Sequence, residues 1–443
     1  MSTARTATLI RLAGTIVEAK PMGARQRCYA HAVIPARNAM LASIAAQFGT
    51  PVYVYDAAVI RAQLGKLRAF DVVRFAQKAC PNTHILRLLR SEGAWVDCVS
   101  LGELERALKA GFVPGRTPAE IVYTADVVTE AALDRIVELA IPLNTGSEDM
   151  LAQVGRRRSG HPVWLRINPG FGHGHSKKTN TGGDSSKHGI WFENVPAALE
   201  LVRRYELDLV GFHMHIGSGA DIHHLSRVCD AMVEQVRSAG QPLRAISGGG
   251  GLSIPYREGE REVDVASYFE LWNAARKRIE AALGSPVELE LEPGRFLVAQ
   301  AGVLLAEVRA EKRVGANHFT FVDAGFNDLM RPAMYGAYHE ITVLEADGIA
   351  ATRPRRPTVV AGPLCESGDV FTQDAEATIH PRELPETRVG DLLVFRDAGA
   401  YGASMSSNYN SRPLVPEVLI DGDQVRLIRR RQTMKELLDL EDV

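Results

Sequence analysis

From Pro51 to Arg295 the chain alternates short β-branched runs with longer amphipathic ones, and few folds accept that alternation. Strand-like runs cover Pro51 to Tyr55, Val73 to Lys78, Trp95 to Val99, Ile121 to Thr124, Ile141 to Asn144, Val163 to Asn168, Leu209 to Ile216, Leu243 to Gly248 and Val287 to Glu292. Between them, runs such as Glu103 to Ala110, Ala131 to Leu139, His224 to Ala239 and Ala266 to Leu283 place apolar residues every three or four positions, the helical period. Strands alternating with helices call for a parallel sheet with crossover helices. If the first run belongs to a companion domain, eight strands remain, the number that closes a (β/α)8 barrel.

After about Gly302 the helical rhythm gives way to runs at Phe319 to Val322, Ile341 to Leu344, Thr358 to Ala361, Leu392 to Phe395 and Val418 to Ile420. Pro, Gly, Asp and Asn turns separate them, which predicts an antiparallel sheet or barrel. The expected fold class is therefore α/β, with a (β/α)8 barrel over 56–302 followed by an all-β C-terminal domain over 303–443. Residues 27–55 are expected to add a helix and a strand to the β domain. Residues 1–26 read as an extension without an assigned role, because the apolar patch Ala13 to Val17 is short for a signal-peptide core.

Composition narrows the function classes. Lysine and arginine total 51 against 53 acidic residues, so no global field draws the chain to nucleic acid or an anionic membrane. No apolar stretch approaches the roughly 18 residues of a membrane span. Five scattered cysteines (Cys28, Cys80, Cys98, Cys229, Cys365) form no CxxC pair, which argues against a disulfide framework and fits a reducing cytoplasm.

In β/α barrels chemistry gathers at the C-terminal ends of the strands, and phosphate sites favour the loops after strands seven and eight. Counted this way, Lys78 ends the first barrel strand, His215 lies near the end of the sixth, Gly248-Gly249-Gly250-Gly251 follows the seventh and Glu292-Pro293-Gly294-Arg295 follows the eighth. A lysine at a strand end is ordinarily a solvated edge residue; aimed into a barrel mouth beside Val73, Phe75 and Ala79, it would be partly desolvated and suited to carbonyl chemistry. The glycine run is either a flexible loop or a cradle whose N–H groups face a phosphate. Glu292 either pairs with Arg295 or stands against a pyridine nitrogen, where a carboxylate stabilises the cation. Lysine, phosphate cradle and carboxylate together are the parts that bind pyridoxal 5'-phosphate.

His213 and His215 share a strand face, and His173-Gly174-His175 is a second pair, but no carboxylate or thiolate set with zinc spacing accompanies them. No metal is expected, and His215 is read as stacking on a cofactor ring. Cys365 and Glu366 sit among turn formers in Gly362 to Asp369; the cysteine is either a small apolar residue or a thiol able to give up a proton. Arg331, Tyr335 and Tyr401 lie in glycine-rich turns, where such residues are loop packing or anchors for a carboxylate or phosphate.

Taken in order, FAQKA, HMHIGSG, the glycine run, EPGR, DAGFNDLMRPAMYG, GPLCESGD and GAYGASMSSNYNSRP resemble the diaminopimelate decarboxylases of the alanine-racemase-like (fold type III) group. The resemblance runs from about Leu41 to the C-terminus, and the insert NPGFGHGHSKKTNTGGDSSKHGIW is similar to bacterial members. It implies that Lys78 carries pyridoxal 5'-phosphate, that His215 stacks on it and that Glu292 faces its ring nitrogen. Ser218, Gly249, Gly250, Gly251, Gly294, Arg295 and Tyr401 would complete the cofactor site. Arg295, Arg331, Tyr335, Glu366 and Tyr401 would hold meso-2,6-diaminopimelate, and Cys365 would donate a proton, so that the products are L-lysine and carbon dioxide, as in the last step of lysine biosynthesis. In the family Cys365 and Glu366 come from the partner chain, which implies a homodimer with active sites at the interface. The rivals are a decarboxylase of the same group acting on ornithine, arginine or a polyamine precursor, a non-catalytic pyridoxal-phosphate or protein binder, and a racemase. The RPAMYG and GPLCESGD contexts, with both Lys78 and Cys365 present, favour diaminopimelate decarboxylation over all three.

Overall fold

The computed structural model describes residues 25–172, 181–215, 217 and 222–443, with side chains from Arg37 onward except at 222 and 223. An N-terminal helix, Arg25–Phe48, leads into strand β1 (Val52–Asp56). The barrel then begins with β2 (Val72–Ala76), β3 (Trp95–Cys98), β4 (Ile121–Ala125), β5 (Leu143–Thr145) and β6 (Pro162–Asn168). The two residues of β7 (Ile190–Trp191) pair beside the end of β6, and β8 (Asp208–His213), β9 (Ala245–Ser247) and β10 (Glu288–Leu291) complete it. All barrel pairs are parallel; β10 lies between β9 and β2, and β5 pairs with β6, so the eight strands close, as the spacing of the apolar runs predicts.

Alternation along each strand divides two environments. Phe75, Val96, Tyr123, Leu165, Phe212, Ile246 and Leu289 face the helices and join one large apolar core. The opposite set turns inward, where Val122, Trp164 and Ala245 make a small separate apolar cluster. Beside it Arg74 meets Glu290 through two hydrogen bonds of 2.6 and 2.8 Å, with side chains only 2% and 3% exposed. Arg74 also donates to the Ala119 carbonyl and lies over the Trp95 ring at 5.0 Å. This layer forms the barrel floor, and inward residues one step further along the strands, Asp97, Arg166, His213, Ser247 and Glu292, stand above it.

The helices begin and end where local chemistry directs. Ser100 accepts the Glu103 N–H at the start of helix Leu101–Ala110, and Gly111 closes it at φ +99°, a conformation open to glycine.

The second sheet contains β1, β11 (Gly302–Val314), β12 (Asn317–Val322), β13 (Ile341–Leu344), β14 (Arg355–Ala361), β15 (Arg382–Pro385), β16 (Leu392–Phe395), β17 (Glu417–Asp421) and β18 (Gln424–Arg429). It is mostly antiparallel, as expected, with two parallel pairs besides, β1 with β17 and β12 with β14. Parallel neighbours need long connections, and most of the chain, including the barrel, separates β1 from β17.

Polar contacts seam the sheet to the barrel. The Tyr55 hydroxyl and the Asn82 amide both donate to Glu417, at 2.8 and 3.1 Å, and Arg429 pairs with the same carboxylate at 2.9 Å. Gly399 passes so close to the barrel's last turn that a Cβ there would lie 2.0 Å from the Val298 carbonyl oxygen.

The floor pair yields a stability prediction. Arg74→Met alone strands a buried carboxylate and should cost about 3–5 kcal/mol, whereas Arg74→Met with Glu290→Leu should recover most of that loss. Urea unfolding of the two variants measures it, and equal losses would refute a dominant role for the unpaired charge.

Candidate active site

Above the floor a cavity of about 820 Å³ opens at the C-terminal ends of the barrel strands, with residues of the second sheet's loops on its far wall. Lys78, His215, Gly250, Gly251, Glu292, Gly294, Arg295, Arg331, Tyr335 and Tyr401 all line it. Gly249 lies directly beneath, against His215. Ser218 and the His173-Gly174-His175 pair fall outside the described residues.

Lys78 stands two residues beyond its strand, in a 3₁₀ turn over Gln77–Ala79, because β2 ends at Ala76. The turn is held from both sides. Gln77 donates to the Cys98 sulfur and to the Glu103 carbonyl within the barrel, while Tyr401 N–H and Ser404 Oγ, from the other domain, donate to the Ala79 carbonyl at 2.9 and 3.2 Å. The Lys78 side chain is exposed to the cavity, and Val73 and Phe75 face the helices rather than the lysine.

Glu292 is buried directly after β10. His213 Nε2 donates to one carboxylate oxygen at 2.8 Å and Ser247 Oγ to the other at 3.0 Å. Burial pushes this carboxyl up, but His213, through charge and hydrogen bond, and Ser247 outweigh it and hold Glu292 well below the usual carboxylate range. The alternative partner, Arg295, is directed elsewhere, over the Tyr256 and Tyr401 rings at 5.6 and 5.7 Å.

His215 accepts the Gly250 N–H at Nδ1, 3.2 Å away, which fixes the ring orientation. Burial, then the Lys78 and Arg166 charges, hold it well below the usual imidazole value, so it is neutral. Among the described residues no group of three or more His, Cys, Asp or Glu side chains has the arrangement of a metal site.

The glycine run works differently from a cradle of successive free donors. Gly249 N–H goes to Ser247 Oγ at 3.2 Å and Gly250 N–H to His215, so only from Gly251 is a donor left without a partner among the described residues. The run is glycine because of crowding. A Cβ at 249 would lie 2.6 Å from that of His215, at 250 it would lie 2.7 Å from the Glu292 oxygen, and at 251, with φ +108°, 2.5 Å from the Gly217 oxygen.

Cys365 and Glu366 are not in this cavity. Both are exposed on a loop whose shape is fixed from inside: buried Asp369 accepts the Leu364 and Phe326 N–H groups at 2.8 and 2.7 Å, and the Cys365 N–H donates to Asn410 at 2.9 Å.

Several lining residues escaped the sequence reading. Asp97 faces the cavity from β3; burial, then the Glu292 charge, push its carboxyl far up, and its Oδ1 meets no partner among the described residues. Arg166 lines the same wall, and near it His188 bonds to Asp126. Tyr256 lies between Arg295 and Arg331, the latter 5.0 Å from its ring. The available signal was a charged residue at an inward position of an otherwise apolar strand, as in WVDC and VWLRIN.

Comparison with known proteins supplies the family. Residues 57–299 match the pyridoxal-dependent decarboxylase, pyridoxal binding domain model. The chain is 64% identical over 398 residues to a diaminopimelate decarboxylase of Streptomyces coelicolor, spanning 90% of each. A crystal structure of diaminopimelate decarboxylase superposes with a TM-score of 0.89 at 63% identity, covering 90% of this chain and 96% of that one. The diaminopimelate decarboxylase of M. jannaschii, in co-complex with L-lysine, gives 0.81 at 32% identity, covering 91% and 94%.

Ser247 tests the electrostatics of Glu292. A carboxyl held low in the folded state stabilises the fold above its unfolded value of about 4.3 and loses that contribution as pH falls through the folded value. Ser247→Ala should therefore cost about 1.5–3 kcal/mol near pH 7, with the gap to the parent closing as pH falls below about 4. Urea midpoints across that range measure it; a gap independent of pH would show that the lost interaction is packing.

Proposed function

The chain belongs to the diaminopimelate decarboxylase family, and from that premise we propose how its residues divide the work of the reaction. The reaction removes one carboxylate of meso-2,6-diaminopimelate as carbon dioxide, puts a proton in its place and leaves L-lysine, the last step of lysine biosynthesis.

The residues present fit pyridoxal 5'-phosphate. A lysine, a neutral imidazole fixed by a backbone N–H, a glycine N–H without a partner among the described residues and an ionised buried carboxylate share one cavity. When bound, pyridoxal 5'-phosphate supplies an electron sink for the bond that breaks. Lys78 would hold the cofactor, Glu292 would stabilise a cationic ring nitrogen, and His215 would offer its ring as a stacking face. Gly251 would take the phosphate, with Gly249, Gly250 and Gly294 leaving room for it to approach and Ser218, Arg295 and Tyr401 completing the site.

The distal end of the substrate meets Arg331, Arg295, Tyr335 and Tyr401. Arg331 is buried and close enough to Arg295 for the two charges to oppose each other, so a carboxylate between them relieves a repulsion that the distal amine of ornithine would increase. This pair of arginines carries the choice of diaminopimelate over simpler amines. Glu366 takes the distal ammonium, and the Cys365 thiol returns a proton to the carbon that lost its carboxylate. Both are exposed and outside their own chain's cavity, which supports their delivery by a second copy in a homodimer whose sites lie at the interface. Among the described residues no helix is long and apolar enough to cross a membrane. With five scattered cysteines, this supports a cytoplasmic enzyme that works without nucleic acid or membrane.

Purified protein saturated with pyridoxal 5'-phosphate should release lysine from meso-diaminopimelate and leave ornithine, arginine and L-lysine unchanged; turnover of ornithine or arginine would overturn the specificity. Cys365→Ala should lower turnover by roughly 10²–10⁴-fold while keeping the cofactor's absorbance. Mixing inactive Lys78→Ala and Cys365→Ala proteins and letting subunits exchange should restore about a quarter of parental activity, since half the dimers then hold one complete site. No recovery on exchange would place the cysteine and lysine of each site on one chain.

A further inference from the structure

Arg331 is 5% exposed, and its guanidinium can only donate hydrogen bonds. One of its N–H groups points at His339 Nε2, 2.9 Å away, and His339 itself is 2% exposed. The other ring nitrogen, Nδ1, faces the Arg396 carbonyl at 2.8 Å, a group that can only accept. These two contacts leave one tautomer: Nδ1 carries the proton, Nε2 offers its lone pair, and the ring has no charge. Burial, then the Arg331 charge, act in the same direction and push the imidazole down to about 3. The ring is held edge-on to Tyr256, 6.0 Å between centroids, and Tyr256 in turn carries Arg331 and Arg295 on its face.

Buried arginines are commonly fixed by a carboxylate, which supplies two acceptors and cancels the charge. Here a neutral acceptor does the fixing. Among the described residues no carboxylate forms an ion pair or hydrogen bond with Arg331; the Asp397 carboxyl feels its charge only from a distance, so the guanidinium, which lines the cavity, has no carboxylate bound to it. We propose that His339 is a positioning and specificity-determining residue, which locks the Arg331 guanidinium in place through an uncharged lone pair and so reserves its charge for the carboxylate of the incoming amino acid. The inference deepens the proposed function and rests on its assignment of Arg331 to the distal carboxylate. An acidic residue at 339 would hold Arg331 equally well in space but would occupy the charge that the ligand needs.

Two ligands of equal chain length separate this role from general damage. L-lysine keeps the distal amino-acid head of the substrate, and 1,5-diaminopentane lacks its carboxylate. Calorimetric titration of the holoenzyme with each should show that His339→Ala weakens L-lysine about 10- to 100-fold while 1,5-diaminopentane changes by less than about twofold. His339→Gln, whose amide can accept from Arg331 and donate to Arg396, should restore L-lysine binding to within about threefold, and His339→Glu should weaken it at least as much as alanine does. Equal loss of both ligands, or no loss of either, overturns the proposal. If the alanine variant does not fold, glutamine and glutamate variants with the same affinity for L-lysine overturn it instead. Arg331→Ala distinguishes the two levels: unchanged L-lysine binding there removes the carboxylate assignment and the His339 role together, whereas weakened binding there with an unaffected His339→Ala removes only the latter.

Discussion

A carboxylate buried under the barrel mouth and kept charged is the constraint around which this chain is arranged. Burying a charge is unfavourable unless donors surround it, and Glu292 has two, His213 and Ser247, from the neighbouring strands β8 and β9. The same requirement reaches the loops. The Glu292 N–H donates to the Gly249 carbonyl, and the Glu292 carbonyl lies where a side chain at 250 would have to be. The glycine run, the HMH segment and the EPGR segment are thus one packed unit, and burial first, then the charge on Glu292, push the Asp97 carboxyl nearby upward.

The mouth is not a property of the barrel alone. Lys78 lies in a turn whose next carbonyl, that of Ala79, is held by Tyr401 and Ser404 of the other domain. Tyr401 adopts φ +58°, an uncommon conformation for a residue with a side chain, and keeps it while its N–H is bonded across the seam. Glu417 ties β17 to Tyr55 and Asn82 close by. The lysine is therefore aimed by contacts that exist only after both domains have formed.

The barrel was readable from sequence because its signal is local, strand and helix periods repeating within a dozen residues; in the second sheet, β13 and β16 also fall on the expected residues. The parallel pairing of β1 with β17 was not, since nothing local marks a contact between residues about 365 positions apart. Within the site, Lys78, His215, Glu292 and the glycines stood out as motifs, but the motif did not reveal the mechanism of each. Two of the expected phosphate donors proved to be committed to Ser247 and His215. Asp97, Tyr256 and His339 passed unnoticed because a single polar residue in a strand or turn has many ordinary reasons to be there. Cys365 and Glu366 acquire a role through family resemblance alone, since their own chain leaves them outside its cavity.

The Arg74–Glu290 pair and the ring of Trp164 close the barrel beneath the cavity. The reaction chamber is a cup rather than a tunnel. Among the described residues this floor separates the cavity from the opposite end of the barrel, so the mouth is the side by which substrate and product pass. Whatever stands at the rim can then set the tempo of the cycle while leaving the chemistry at the bottom unchanged.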